Sequence, residues 1–220
     1  PDSWKFPQKF IDTNVNSTIQ ALNYCKKNSS KLIFLSSYLY GNPKKVPISE
    51  NTIVDPTNPY TLSKKIAEDI CKFYSEKFRV KTLILRPFNV YGKNQKEIFL
   101  IPSIIKQINL LKEINVKDLK PKRDFIYIKD LVEAIIKTLN LEKSFEIINI
   151  ASGLSYSVEE VISFIQKIKG TNLTIKSSNE NRIDEIMDTQ ADIKKAKKLL
   201  DWQPIWTLEK GIKDICDKKK

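Results

Sequence analysis

No histidine occurs anywhere in the 220 residues. That absence excludes a Ser-His-Asp triad and any histidine-ligated metal within this chain. The three cysteines, Cys25, Cys71 and Cys216, lie far apart with no C-x-x-C pair. Such usage argues against a disulfide framework or a zinc site and for a reducing, cytoplasmic setting. Glycine is scarce as well: Gly41, Gly92, Gly153, Gly170 and Gly211 are all there are. None is near another, so the G-x-G-x-x-G turn that cradles a dinucleotide pyrophosphate is missing. No apolar run approaches the roughly 18–20 residues of a membrane span, and no membrane partner is expected. The opening Pro1-Asp2-Ser3-Trp4-Lys5 lacks a Met and the basic-then-apolar order of a signal peptide. The expectation is a piece of a longer protein.

What is present is ordinary for a globular domain, since hydrophobic residues make up 41% and charged residues 29%, too apolar for disorder. Lys and Arg number 38 against 26 Asp and Glu, a net charge of +12. A nucleic-acid partner is one way to read that excess. However, the lysines are spread over the whole chain without an aromatic-interleaved basic motif, so a solvated surface is favoured and no nucleic acid is expected. Excess positive charge also suits a diphosphate-bearing ligand.

Strand-like and helix-like segments alternate, the pattern of an α/β fold with a parallel sheet. Residues 14–27 read as a helix, with Val15, Thr18, Ile19 and Leu22 at helical spacing. Residues 31–36 form a short apolar run suited to a strand buried on both faces. A Pro- and Asn-rich loop spans 41–59. The helix predicted over 61–78 puts Leu62, Ile66, Ile70 and Phe73 on one face, and a second buried strand spans 80–86. Helices follow at 98–111, 130–139, 157–169, 189–200 and 208–215, with strands at 114–116 and 146–150. Ser157 with Glu160 three residues on has the capping-box pattern. The C-terminal part is expected to pack on the core sheet, with Trp202 in the core against the last helix.

The strongest chemical signal is Asn58-Pro59-Tyr60-Thr61-Leu62-Ser63-Lys64. Tyr60 and Lys64, four apart at a helix start, share a face. A phenol titrates near pH 10 and is a poor base at neutral pH, but a neighbouring ammonium favours its phenolate. A surface Tyr and Lys is the plain alternative, and other blocks argue against it. The first strand ends in Ser36-Ser37-Tyr38-Leu39-Tyr40-Gly41, and parallel sheets bind ligands at strand C-termini. The second ends in Leu85-Arg86-Pro87-Phe88-Asn89-Val90-Tyr91-Gly92. Further on come Lys122-Arg123-Asp124-Phe125-Ile126-Tyr127, Asn149-Ile150-Ala151-Ser152-Gly153 and Leu200-Asp201-Trp202-Gln203-Pro204.

This ordered set resembles the extended short-chain dehydrogenase/reductase family, the NAD-dependent epimerase/dehydratase group, over about residues 14–215. The resemblance implies the C-terminal portion of a doubly wound, Rossmann-like sheet plus a smaller mixed substrate-binding lobe. Residues 1–92 would be the remainder of the NAD(P)-binding domain and 93–220 the lobe, with 124–150 returning to the core sheet. Tyr60 would be the catalytic acid/base, Lys64 would bind the nicotinamide ribose and favour the phenolate, and Ser36, with Ser37 as fallback, would hydrogen-bond the sugar oxygen. Pro87 and Phe88 would line the nicotinamide. Asn89 would touch a substrate phosphate, Arg123 and Arg182 would hold the diphosphate, and Leu100 would touch the nucleotide base. For Arg123 an ion pair with Asp124, and for Asn89 a turn cap, stand as structural alternatives. Guanidinium forks suit phosphate because they bind it bidentately. The partners implied are NAD or NADP, a nucleotide-diphosphate sugar, and a second copy of the chain paired through the helices at 14–27 and 61–78.

The family's glycine-rich first βαβ units would lie upstream, on the order of 60–80 residues, and without them parallel strand edges could stand open. A C4 epimerase is the activity the resemblance favours. A 4,6-dehydratase would place an Asp-Glu pair after the strand-end hydroxyl, where Ser37 and Tyr38 stand; a 4-ketoreductase stays open. A non-catalytic binding or scaffold protein is the rival from another class.

Overall fold

The structure, a computed structural model, describes residues 2–178 and 186–217. The chain opens on α1 (Asp2–Lys5), α2 (Pro7–Ile11), a π-helical turn (Asp12–Asn16) and α3 (Ser17–Asn28), followed by β1 (Leu32–Leu35) and α4 (Pro59–Phe78). Next come β2 (Thr82–Pro87), β3 (Asn89–Tyr91), α5 (Leu100–Leu110), β4 (Glu113–Val116), β5 (Lys122–Tyr127), α6 (Ile128–Thr138) and β6 (Phe145–Ile150). The last elements are β7 (Ser155–Ser157), α7 (Val158–Lys169), β8 (Thr174–Ser177), α8 (Lys194–Leu200) and α9 (Leu208–Cys216).

The main sheet has the order β1-β2-β6, all parallel, with Leu32 beside Thr82 and Thr82 beside Phe145. Its central strand is a continuous apolar run because both faces are covered. Ile84 packs with Leu22, Cys25 and Cys71 of α3 and α4. Leu85, Ile148 and Ile150 pack on the opposite face with Leu131, Ala134 and Leu200 of α6 and α8. Helices on both sides of a parallel sheet make the α/β, Rossmann-like architecture that the alternation predicts. A fully buried Leu or Ile contributes about 1.5–3 kcal/mol, so this core anchors everything that follows.

Sequence expectations for β1 and α4 need correction. β1 stands at the edge of the described sheet, the open parallel edge expected above, so Leu35 is 41% exposed and not buried on both faces. In α4 only part of the predicted stripe is packed, with Ile70 against the cluster of Leu22 and Ile84. Leu62 and Phe73 are exposed, while Ser63, Ala67, Glu68, Cys71 and Ser75 are buried. Small side chains let this helix lie close on the sheet, and hydrophobicity alone picked the outward Leu62 and Phe73.

The remaining strands build the lobe. β3, β5 and β7 form one small mixed sheet, and β4 pairs β8 in parallel. Within the span 124–150, β5 belongs to this lobe sheet and β6 to the main sheet. Ile101, Ile104, Val161, Ile162, Ile165 and Ile212 fill the lobe's core from α5, α7 and α9. The helix α7 starts in the predicted capping box, with Ser157 accepting from Glu160 N–H and Glu160 from Ser157 N–H. Gly211 lets α9 close on β3, since a Cβ there would stand 2.1 Å from the Tyr91 hydroxyl oxygen.

The helix expected over 189–200 begins only at Lys194. Ahead of it the chain is extended and bridges in parallel to the loop after β1, Ile48 N–H donating to Gln190 O and Asp192 N–H to Ile48 O, both at 2.8 Å. Trp202 is buried as expected, but against α6 and α8 rather than the last helix. Its indole N–H donates to Asp130 O at 3.1 Å.

Candidate functional site

A cleft of about 940 Å³ opens between the C-terminal end of the main sheet and the lobe. Ser36, Ser37, Tyr60, Pro87, Phe88, Asn89, Leu100 and Arg123 all line it. The sheet side carries the first five and the lobe side the last three. Of the other residues singled out in the sequence, Lys64 stands outside the lining, and Arg182 lies outside the described residues.

Ser36 continues β1, its N–H donating to Leu85 O at 2.8 Å. Its hydroxyl is buried, with the residue 5% exposed, and has no hydrogen-bond partner among the described residues. Buried hydroxyls are ordinarily paired, so an orphan in the wall of a cleft points to a ligand atom. Tyr60 sits in the first turn of α4. Pro59 occupies N1, where its missing N–H costs nothing, and Asn58 closes a capping box with Thr61, each bonding the other's backbone at 3.0 and 3.2 Å. The positive end of a helix dipole thus stands beside the phenol.

One turn on, Lys64 Nζ donates to Leu35 O at 2.9 Å and lies 4.8 Å from the centre of the Phe34 ring. Burial pushes its amine below the ordinary lysine value, opposed by the Glu68 carboxylate. An ammonium has three donors, so the bond to Leu35 leaves two for another group.

Phe88 is held by its N–H to Ile150 O at 3.0 Å and packs its ring edge-to-face on Tyr38, centroids 5.2 Å apart. Asn89 Nδ2 donates to Asp124 O at 3.2 Å and Thr189 Oγ1 at 3.4 Å. Arg123 Nη1 donates to Ile186 O at 2.5 Å and Lys122 O at 2.9 Å. The neighbouring Asp124 carboxylate takes N–H bonds from Ser152, Gly153 and Ala191 and the Ser152 hydroxyl at 2.6–3.1 Å. Burial pushes Asp124 up to about 6 against those hydrogen bonds, which work to lower it.

Sequence reasoning missed two groups of residues. Asn14, in the π-helical turn, donates to Ser63 Oγ at 2.8 Å, and Ser63 donates to Tyr60 O at 2.7 Å. That contact spans 49 positions, and nothing local signals it. The outer cleft is lined by Lys93, Gln95, Ser103, Gln107, Asn115 and Lys117, polar residues from separate elements that no motif joins.

Comparison with known proteins decides the family. The profile of the GDP-mannose 4,6 dehydratase family matches residues 1–215. The chain belongs to this family. Its members include the NAD-dependent epimerases and dehydratases of the extended short-chain dehydrogenase/reductase group that the motif order resembles. A UDP-glucuronate 4-epimerase from Thermodesulfobacterium geofontis is 32% identical over 94% of this chain and 65% of its own length. The structure of RMD from Pseudomonas aeruginosa complexed with NADPH superimposes with TM-score 0.91 at 27% identity, covering 98% of this chain and 75% of that one. A UDP-N-acetylglucosamine 4-epimerase from Methanobrevibacter ruminantium M1, in complex with UDP-N-acetylmuramic acid, gives TM-score 0.91 at 26% identity over 98% and 71%. The chain spans about two thirds of the length of curated family members, 64–68% for three of them. No helix among the described residues is long and apolar enough to cross a membrane.

Proposed function

We propose that this chain carries the catalytic and substrate-binding part of an NAD(P)-dependent nucleotide-sugar 4-epimerase. The observation that carries the reading is the orphaned, buried Ser36 hydroxyl facing the same cleft as Tyr60. In this reading Tyr60 accepts the proton of the sugar C4 hydroxyl as that carbon is oxidised, and Ser36 hydrogen-bonds the oxygen that becomes the ketone. Tyr60 returns the proton after the keto sugar has turned over. The capped start of α4 and the ammonium of Lys64 favour negative charge on the phenol oxygen. Across the cleft Arg123, with Asn89, holds the diphosphate, and Leu100 meets the base. A +12 chain suits so anionic a substrate.

The residues fit the nicotinamide end of the cofactor. The unpaired Ser36 hydroxyl lies beside the ledge of Pro87 and Phe88, and Lys64 with Tyr60 would hold the ribose. When bound, NAD or NADP would supply hydride acceptance and return. The five dispersed glycines offer no pyrophosphate turn, so calorimetry on this chain alone is expected to register no micromolar NAD(P) affinity. Micromolar binding would contradict that assignment.

A 4,6-dehydratase is disfavoured, because among the described residues the cleft's one carboxylate is Asp118, on the lobe side. A second copy of the chain fits the exposed Tyr24, Leu62, Phe73 and Phe78 on α3 and α4. The test is to incubate the enzyme, in the length its relatives have, with UDP- and GDP-hexoses and follow C4 inversion by NMR. Inversion with a tightly retained NAD supports the epimerase. Net consumption of NAD(P)H by a keto sugar without inversion would replace it with a ketoreductase.

A further inference from the structure

A polar network crosses the core of the main sheet beneath the cleft. Amid Leu83, Ile84, Leu85 and Ile148, all fully buried, sit Glu68, Arg86, Tyr40 and Asn149, none more than 3% exposed. Arg86 grips Glu68 with two parallel bonds, Nε to Oε1 at 2.9 Å and Nη2 to Oε2 at 2.5 Å. Its Nη1 donates to the Tyr40 hydroxyl at 2.9 Å, which donates in turn to Asn149 Oδ1 at 2.6 Å. Asn149 Nδ2 donates to Ile48 O at 3.1 Å. The network runs from α4 through β2 to β6.

Stability alone does not call for this arrangement. A buried ion pair roughly breaks even against apolar residues of the same shape, because desolvation offsets the attraction. What a bidentate fork adds is direction: it admits one height and one rotation of α4 over β2. Tyr60, Lys64 and Glu68 are successive rungs of one helix face, four residues apart. Arg86 directly precedes the cleft residues Pro87, Phe88 and Asn89. The fork therefore ties the face bearing Tyr60 and Lys64 to the floor opposite it, although neither Glu68 nor Arg86 lines the cleft.

We propose that the pair of Glu68 and Arg86 is a positioning device, fixing the register of α4 over the cleft floor and setting the Glu68 carboxylate one helical turn from Lys64. Its functional meaning rests on the reading of Tyr60 and Lys64 given above; its effect on Lys64 does not. Within the described structure Lys64 is half-buried beside Phe34 and Leu35 of β1, and Glu68 is the carboxylate whose field opposes the effect of burial on it, with Cys71 adding a weaker effect of the same sign.

The test is the pH dependence of Lys64 labelling by an amine-reactive reagent, mapped by mass spectrometry on the wild-type chain and on Glu68→Gln. The expected result is a labelling midpoint lower by at least about one pH unit, roughly tenfold more reactive amine at a given pH, with the far-UV spectrum kept. A purely structural role would lower the melting temperature and leave the Lys64 midpoint in place. Should Glu68→Gln fail to fold, the double variant E68L/R86M, which makes the site apolar, is measured instead, and a downward shift is again expected. An unchanged midpoint in the folded variant overturns the proposal. Tyr60→Phe, which leaves this pair intact, tests the epimerase reading separately.

Discussion

The two walls of the cleft are built differently. The sheet wall places Ser36, Tyr60 and Phe88 on strand ends and a capped helix start, each tied by backbone or core contacts. Beneath it lies the buried network of Glu68, Arg86, Tyr40 and Asn149. The lobe wall is open and mixed, with Arg123, Lys93 and Lys117 set among apolar side chains. Ile98 is 82% and Phe99 49% exposed at the cleft's mouth, and Leu100 starts α5 with no side-chain cap. Directional bonds fix atoms to within tenths of an ångström, as bond-making chemistry needs. Exposed apolar side chains set only size and shape, while Arg123 and the lysines add positive charge. The contrast suits the proposed division in which the sheet wall does chemistry and the lobe wall selects and holds.

The hardest way to break that division is Tyr60→Phe, which keeps the ring and removes only the hydroxyl. In the enzyme at its relatives' length, turnover should fall by roughly 10²–10⁴-fold while nucleotide-sugar binding barely changes. A variant keeping more than about a tenth of turnover would remove chemistry from the sheet wall. On the lobe side, Arg123→Met should do the reverse, weakening nucleotide-sugar binding by about 10–100-fold with kcat little altered. Calorimetry and steady-state kinetics read the two effects apart, and a kcat loss with unchanged binding would contradict the assignment.

Asp124 joins the walls, and its effect should appear in stability. Asp124→Asn leaves N–H donors of the loop after β6 and of residue 191 facing an amide, at about 1–3 kcal/mol. Burial raises the folded carboxyl to about 6, above an unfolded value of roughly 3.9. The stability linked to its protonation is therefore complete below about pH 4 and is lost as pH rises through about 6. Denaturant melts should show the gap between wild type and Asp124→Asn narrowing over that window. A gap that widens with pH would mean the hydrogen bonds outweigh burial. The smallest effect belongs to Phe99→Ala at the open mouth, expected within about 0.5 kcal/mol in stability and a few-fold in KM. A large loss there would show the lobe wall to be as exacting as the sheet wall.

The same contrast governs what could be read in advance. Tyr60 and Lys64, the strand-end Ser36 and the block at residues 86–92 are local patterns, since one strand end or one helix turn holds each. The α/β alternation and the Ser157 capping box are local in the same sense. Asn14 was out of reach because its contact to Ser63 closes across 49 positions. The outer cleft residues belong to α5, to β4 and to the loops after β3 and β4. The facing of α4 was misread because its buried stripe is made of Ser63, Ala67 and Cys71, and hydrophobicity pointed to Leu62 and Phe73. An apolar run does not tell a central strand from an edge one, and the open edge at β1 was legible from the absent glycine-rich turn instead.

The central claim is that both walls close on one nucleotide sugar. Amide NMR of this chain during titration with UDP-glucose tests it most directly. The account predicts saturable shifts on both sides at one affinity, at Ser36, Ser37 and Tyr60 and at Leu100 and Arg123. Shifts confined to one wall, or absent from both at millimolar ligand, would contradict it.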